Sequence, residues 1–300
     1  MSVAGLHHVT AIASSAQATT DFWVRVLGLK LVKRTVNFDD PSAHHLYFGD
    51  ASGSPGTLVT YFASSRLRRD GKPGAGQATS LAMRVPRDTL PLWKQRLTKL
   101  GVPCAPSPGR FGDRALALDD PDGIRIELVE SDTYADEMWP TGLHAVTLTV
   151  TSATRTLALL RAFGLTLRTD GAITRASGEA DTHVDVLEAP AAAAGRMAAG
   201  AIHHVAFRAS GDDHQLALRV AVEGEGPRPG EVLDRKYFRS FYFRESGGVL
   251  FEVATDAPGF AVDEPAEKLG GALCLPPWLE ERRGEIAAAL QPLTVPQRAK

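Results

Sequence analysis

The residues best suited to chemistry in this 300-residue chain are two adjacent pairs of histidines and two glutamates that close repeated phrases. Gly5-Leu6-His7-His8-Val9-Thr10 recurs as Gly142-Leu143-His144-Ala145-Val146-Thr147 and as Ala201-Ile202-His203-His204-Val205-Ala206. The first histidine is kept in all three copies, the second only as His8 and His204. Alternation along a strand sends neighbouring side chains to opposite faces, so His8 and His204 share one face while His7, His144 and His203 take the other. A histidine kept in only some copies of a scaffold reads as a site residue, and its commonest trade is metal binding. Asp122-Gly123-Ile124-Arg125-Ile126-Glu127 and Gly247-Gly248-Val249-Leu250-Phe251-Glu252 place Glu127 and Glu252 at one repeat position. His44, His45, His183 and His214 lack such support and are read as ordinary histidines.

Four units must position these residues. Asp21 to Leu29 and Thr156 to Leu165 follow their strand phrases with helical periodicity and end at Gly28 and Gly164, which suit the left-handed residue after a helix. A copy without the histidine phrase runs from Ser80 through the helix Leu90–Val102 to Leu128. Each unit reads as βαβββ, a strand, a helix and three strands joined by Gly-, Asp- and Pro-rich turns. The reading divides the chain into 1–135, with units at about 5–63 and 78–131, then 136–265, with units at about 142–190 and 200–256, and a helical tail over 266–300. Residues 66–74 read as a solvated basic linker, Ala191 to Ala199 as a connector helix, and Trp278 as an anchor for the tail on a barrel face or on a homodimer surface.

This order and the two closing phrases resemble the vicinal oxygen chelate superfamily, which includes glyoxalase I, extradiol dioxygenases and metal-free antibiotic-binding proteins. The resemblance implies an α+β glyoxalase-like fold, four βαβββ units forming two cup-shaped open barrels, with metal ligands on the first and last strands of a unit. Pairing neighbouring units would leave each cup with two candidate ligands at the repeat positions. Pairing the first unit with the fourth gathers His8, His204 and Glu252, and we infer that pairing. Two histidines and one carboxylate leave open positions for substrate and O2, the arrangement of non-haem Fe(II) oxygenases, with Mn(II) accepted by the same set. Thr60, aligned with Glu252, is a poor fourth ligand, and Glu127 reads as a solvated or salt-bridged relic of duplication.

A narrower resemblance rests on His7-His8-Val9-Thr10, on Leu46-Tyr47-Phe48-Gly49-Asp50 leading to Gly53-Ser54-Pro55-Gly56-Thr57, and on Tyr237 to Glu245 before Glu252. Together they look like the hydroquinone-type ring-cleaving dioxygenases, relatives of the chlorohydroquinone 1,2-dioxygenases. That likeness implies metal ligands His8, His204 and Glu252 and active-site surroundings His7, Thr10, His203 and Tyr242, with Arg235 a substrate-binding candidate in a segment shorter than the family's. Tyr242 lies one hairpin from Glu252 and could supply a proton or a hydrogen bond to an oxyanion, as could His7 or His203 if strand irregularity turns them inward. The expected partners are a small aromatic substrate and O2. Two other classes stay open: a glyoxalase-type divalent-metal lyase or isomerase, and a metal-free binding or resistance protein. A formal net charge of -2 gives no electrostatic reason for nucleic acid or an anionic membrane. Without a signal-like N-terminus or a membrane-length apolar run, a cytoplasmic protein is expected. Cys104 and Cys274 lack disulfide-scaffold or metal spacing and read as inert thiols.

Overall fold

The computed structural model describes residues 2–178 and 181–297, so the tail expected over 266–300 is described to residue 297. The first unit contributes β1 (Leu6–Ala13), β2 (Lys30–Asn37), β3 (Asp40–Gly49) and β4 (Leu58–Ala63). The second contributes β5 (Gln77–Val85), β6 (Cys104–Ser107), β7 (Ala115–Asp119) and β8 (Arg125–Glu130). The third has β9 (Gly142–Val150), β10 (Thr166–Asp170), β11 (Ile173–Ser177) and β12 (His183–Glu188); the fourth has β13 (Ile202–Ala209), β14 (Leu233–Asp234), β15 (Phe238–Arg244) and β16 (Leu250–Pro258). They assemble into two eight-stranded sheets, β14-β15-β16-β13-β1-β4-β3-β2 and β10-β11-β12-β9-β5-β8-β7-β6. The fold is α+β, and the first unit shares a sheet with the fourth, as the repeat pattern implies.

Each sheet is built around an antiparallel pair of first strands, β1 with β13 and β5 with β9, and each first strand runs parallel to the last strand of its own unit. Every residue of β1 is buried because one face meets the core and the other lines the cup. A short helix follows the first strand of each unit. These are α1 (Ala16–Thr20), continued by a π-helical turn over Asp21–Val26, then α2 (Leu90–Lys99), α3 (Thr154–Ala162) and α4 (Asp212–Gly224). Trp23, Trp93 and Phe163 anchor the first three of them in the main core at 0% exposure. Gly28 and Gly164 have φ of 78° and 79°, the left-handed values read for them, and at Gly28 an added Cβ would fall 2.2 Å from the Trp139 ring.

Two local expectations change. Ala191 to Ala199 is not a helix: bridges Lys72↔Arg196 and Ala75↔Ala194 tie it to the linker between the first two units. Interchain-like pairing of the two linkers satisfies backbone groups that a helix would otherwise satisfy internally, and at Gly74 an added Cβ would lie 2.5 Å from the Ala193 carbonyl. The tail is helical only in part, as 3-10 turns and a final α5 (Arg283–Ala289). It runs along β2 through the Arg34↔Leu273 bridge and buries Leu275, Leu279, Ile286 and Leu290 against Val36. Trp278, 55% exposed, packs edge-on to Phe38 beside the β2–β3 turn. Among the described residues no helix is long and apolar enough to cross a membrane.

Candidate metal centre

His8 on β1, His204 on β13 and Glu252 on β16 meet on the concave face of the first sheet, at 1%, 3% and 0% exposure. His8 Nε2 is 3.3 Å from His204 Nε2 and 3.2 Å from Glu252 Oε2, and His204 Nε2 is 2.9 Å from that same oxygen. The imidazole–carboxylate contacts are short without hydrogen-bond alignment, so both carboxylate oxygens lack a hydrogen-bond partner among the described residues. A carboxylate sealed from water with no aligned hydrogen bond is costly unless a cation belongs there. Burial by itself raises the Glu252 pKa, but the His8 and His204 imidazoles outweigh it and hold the carboxyl well below its usual range. Burial lowers His204, which favours the neutral imidazole that ligates metals.

The first histidine of each pair does not simply turn away. Between β1 and β13 the register passes from Leu6↔Phe207 to His8↔Ala206 and from Thr10↔His204 to Ala11↔Ile202, leaving His7 and His203 as the extra residues at two irregularities. Such a bulge breaks strict alternation and re-aims the side chain. His7 Nδ1 comes to 2.9 Å from His8 Nδ1, and His203 Nδ1 to 2.7 Å from His204 Nδ1. Each outer imidazole can thus fix its neighbour with Nε2 pointing to the centre. Burial first, then the paired imidazole, pushes His7 and His203 down to about 3, so both are neutral near pH 7.

Two cavities open on the centre. The deeper, about 30 Å³, has His8, His204, His45, Tyr47, Tyr242 and Arg235 in its wall. The outer, about 450 Å³, shares Phe62 with it and adds His203 and the apolar Ile12, Leu67 and Leu250. Tyr242 stacks edge-on to His204 with centroids 5.5 Å apart, and burial followed by the Glu252 charge raises its pKa, keeping a neutral phenol. Arg235 lines both cavities, lies 5.2 Å above the Tyr242 ring and reaches Asp39 at 3.3 Å, closing the mouth between the β2–β3 turn and the fourth unit. Thr10 is fully buried, and its hydroxyl is engaged 2.8 Å from that of Thr60. His45 is read from the sequence as an ordinary histidine and Tyr47 only as part of a family phrase, although Tyr47-Phe48 repeats as Tyr242-Phe243 at the matching strand and is a usable signal for a site role.

The second sheet presents the same face without the pair of histidine donors. Ala145 stands where the other pairs carry the second histidine, and Arg110 fills the space, 3.1 Å from Glu127 and 3.4 Å from Asp185. Arg175 grips the buried Asp185 through two contacts of 2.7 and 2.9 Å and reaches Asp113 at 2.8 Å. His144 lies 3.4 Å from Asp113. Glu127 is salt-bridged, as read from the repeats.

Comparison with known proteins returns a family model over residues 5–128, the Glyoxalase/Bleomycin resistance protein/Dioxygenase superfamily. MhqO of Bacillus subtilis, named as a ring-cleaving dioxygenase, is 39% identical over 97% of both chains. The chlorohydroquinone/hydroquinone 1,2-dioxygenase of Sphingobium indicum is 36% identical over 95% of both chains. A crystal structure of a Bacillus subtilis protein described as a dioxygenase superposes with TM-score 0.93 at 38% identity, covering 99% of each chain. Glyoxalase I of Zea mays superposes with TM-score 0.64 at 18% identity, over 84% of this chain and 92% of its own, a likeness of fold alone.

Proposed function

We propose, for a chain that belongs to the Glyoxalase/Bleomycin resistance protein/Dioxygenase superfamily, that it is a metal-dependent dioxygenase opening a hydroquinone-like or catecholic ring with O2. The observation that carries this reading is the fully buried Glu252 carboxylate, which has no aligned hydrogen bond among the described residues yet has two imidazole nitrogens within 3.2 Å. Ligands at right angles around one ion at about 2.1 Å stand about 3 Å apart, so the three donor separations of 2.9 to 3.3 Å fit a divalent ion. His8, His204 and Glu252 would hold it, with Fe(II) as our assignment and Mn(II) as the other ion this set accepts. Bound there, a divalent ion would favour deprotonation of a ring hydroxyl and give ring electrons a path to O2.

The protein's own groups then have distinct tasks. His7 and His203 keep the two ligating imidazoles in one tautomer and orientation through their Nδ1 contacts. Tyr242 offers a neutral phenol that donates a hydrogen bond to oxygen as negative charge develops. His203, on the wall of the outer cavity, is the group we assign to proton transfer, and Arg235 screens and orients the anionic ring. Thr10 acts through Thr60. His8, His204 and Glu252 are buried, so contacts made at the centre itself act at low dielectric.

A zinc or nickel isomerase is disfavoured by Thr60, which sits where a fourth ligand would come and is already hydrogen-bonded to Thr10 and His45. The test is anaerobic loading with Fe(II), then an oxygen electrode with hydroquinone, methylhydroquinone, chlorohydroquinones and catechol. Ring opening consumes one O2 per substrate and yields a new near-visible chromophore. No O2 uptake, with turnover of methylglyoxal and glutathione on zinc or nickel, overturns the dioxygenase reading.

A further inference from the structure

We propose that Tyr47 is a second substrate-binding hydroxyl at this centre and that His45 is its positioning residue. The proposal rests on the ring-cleavage reading above. The first sheet has an approximate two-fold relation between its halves. In the fourth unit Glu252 pairs with Tyr242 across β15–β16; in the first unit Thr60 pairs with Tyr47 across β3–β4. The two tyrosines therefore approach the centre from opposite sides, one in each unit. Where the fourth unit has the carboxylate, the first has a hydrogen-bonded chain. The Tyr47 hydroxyl is 2.9 Å from His45 Nδ1, His45 Nε2 is 3.0 Å from Thr60 Oγ1, and Thr60 Oγ1 is 2.8 Å from Thr10 Oγ1. The His45 ring is clamped between Tyr47 and Phe62, with centroids 4.1 and 4.4 Å away.

A neutral imidazole donates at one nitrogen and accepts at the other, so His45 is fully used by Thr60 and Tyr47 in either tautomer. Tyr47 is not. When its proton lies toward His45 the phenolic oxygen still has lone pairs, and when His45 Nδ1 carries the proton the Tyr47 O–H is free to donate. Its oxygen thus keeps one hydrogen bond to offer, in the wall of the cavity that His8 and His204 also line. The chemical consequence concerns a ring with two oxygens set apart. A hydroquinone that presents one oxygen to the centre has a second, and burying that hydroxyl without a partner would be costly. Tyr47 supplies the partner, so it selects rings bearing a second hydroxyl over monophenols.

The experiment compares the parent with Tyr47→Phe, His45→Ala and His45→Asn, whose side-chain amide can reach the position of Nδ1. Phe keeps the buried ring, so metal content and melting temperature should match the parent. In anaerobic calorimetry on the Fe(II)-loaded protein, Tyr47→Phe should weaken hydroquinone binding about 5- to 100-fold while 4-methylphenol, which lacks the second hydroxyl, binds within twofold of the parent. The KM for hydroquinone should rise in parallel. His45→Ala should behave like Tyr47→Phe, and His45→Asn should recover most of the loss. Unchanged hydroquinone affinity in Tyr47→Phe, or equal weakening of both ligands, overturns the proposal while leaving parental turnover, and hence the dioxygenase reading, intact. A parent that neither binds nor consumes any hydroquinone overturns both.

Discussion

Removing the outer histidine of a pair should cost metal affinity without removing a ligand. In His203→Ala the Nδ1 of His204 loses a contact of 2.7 Å inside a site where His204 is only 3% exposed. Leaving a buried ring N–H unsatisfied costs about 1–3 kcal/mol, which at 1.4 kcal/mol per decade is about a 5- to 150-fold loss. That range brackets the roughly 10- to 100-fold penalty typical of losing a group that orients a metal-bound imidazole. His7→Ala removes the equivalent 2.9 Å contact to His8 and should lose a similar amount. His144→Ala is the internal control, since Ala145 follows it and no ligand depends on it. The assay is anaerobic competition for Fe(II) or Co(II) against a chromophoric chelator. At saturating metal, His7→Ala should regain most of kcat because its ring is 2% exposed behind the ligands, while His203→Ala should stay slow because its ring lines the outer cavity. Metal affinity within twofold of the parent in both variants would refute the orienting role.

His8→Ala, His204→Ala and Glu252→Ala should each lose metal and activity with the chain still folded, checked by metal analysis and circular dichroism; full occupancy in His8→Ala would break the assignment. Tyr242→Phe should keep metal and lower kcat by about 10- to 1000-fold, and a variant within twofold of the parent would remove its hydroxyl from the chemistry. Acid should destabilise the metal-free protein. His7 and His203 titrate near 3 when folded and near the ordinary 6.5 when unfolded, so across that window the unfolded chain binds more protons and stability falls as pH drops. A melting temperature that rises on acidification from about pH 7 to 5 would contradict this. Arg175→Leu should leave metal content untouched but cost about 3 kcal/mol in denaturant unfolding, because the fully buried Asp185 then keeps only the 3.4 Å contact to Arg110.

The repeats made much of this molecule readable. A histidine retained in two of three copies singled out His8 and His204, and the demand for three donors in one cup led to the pairing of the first unit with the fourth. The limits were physical. Regular alternation turns His7 and His203 away, and the register shift that brings them against His8 and His204 leaves no mark in composition, so the sequence offers their inward position only as a conditional reading. His45 matters through Thr60 and Tyr47 on neighbouring positions of a hairpin, contacts set by register across strands rather than by spacing along the chain. The alanines of 191–199 suggested a helix, yet the segment lies where a second linker needs its backbone groups. Arg110 could not be foreseen as the occupant of the second cup, because a loop between β6 and β7 delivers it.

The nesting of the sheets has a consequence for biosynthesis. The second sheet is continuous in sequence, from Gln77 to Glu188, whereas the first is split around it, so that the rings of His8 and His204 touch across 196 residues. A nascent chain emerging from the ribosome can therefore complete its inner sheet while β1 still lacks its antiparallel neighbour. Contacts this distant are also the slowest to close, since the intervening loop entropy must be overcome first. Of the three donors only His8 exists until the fourth unit is made, and Glu252 arrives on the last strand. A chain that stops short of the fourth unit therefore offers only one of the three proposed donors, and the complete donor set forms only once β16 has been made and paired.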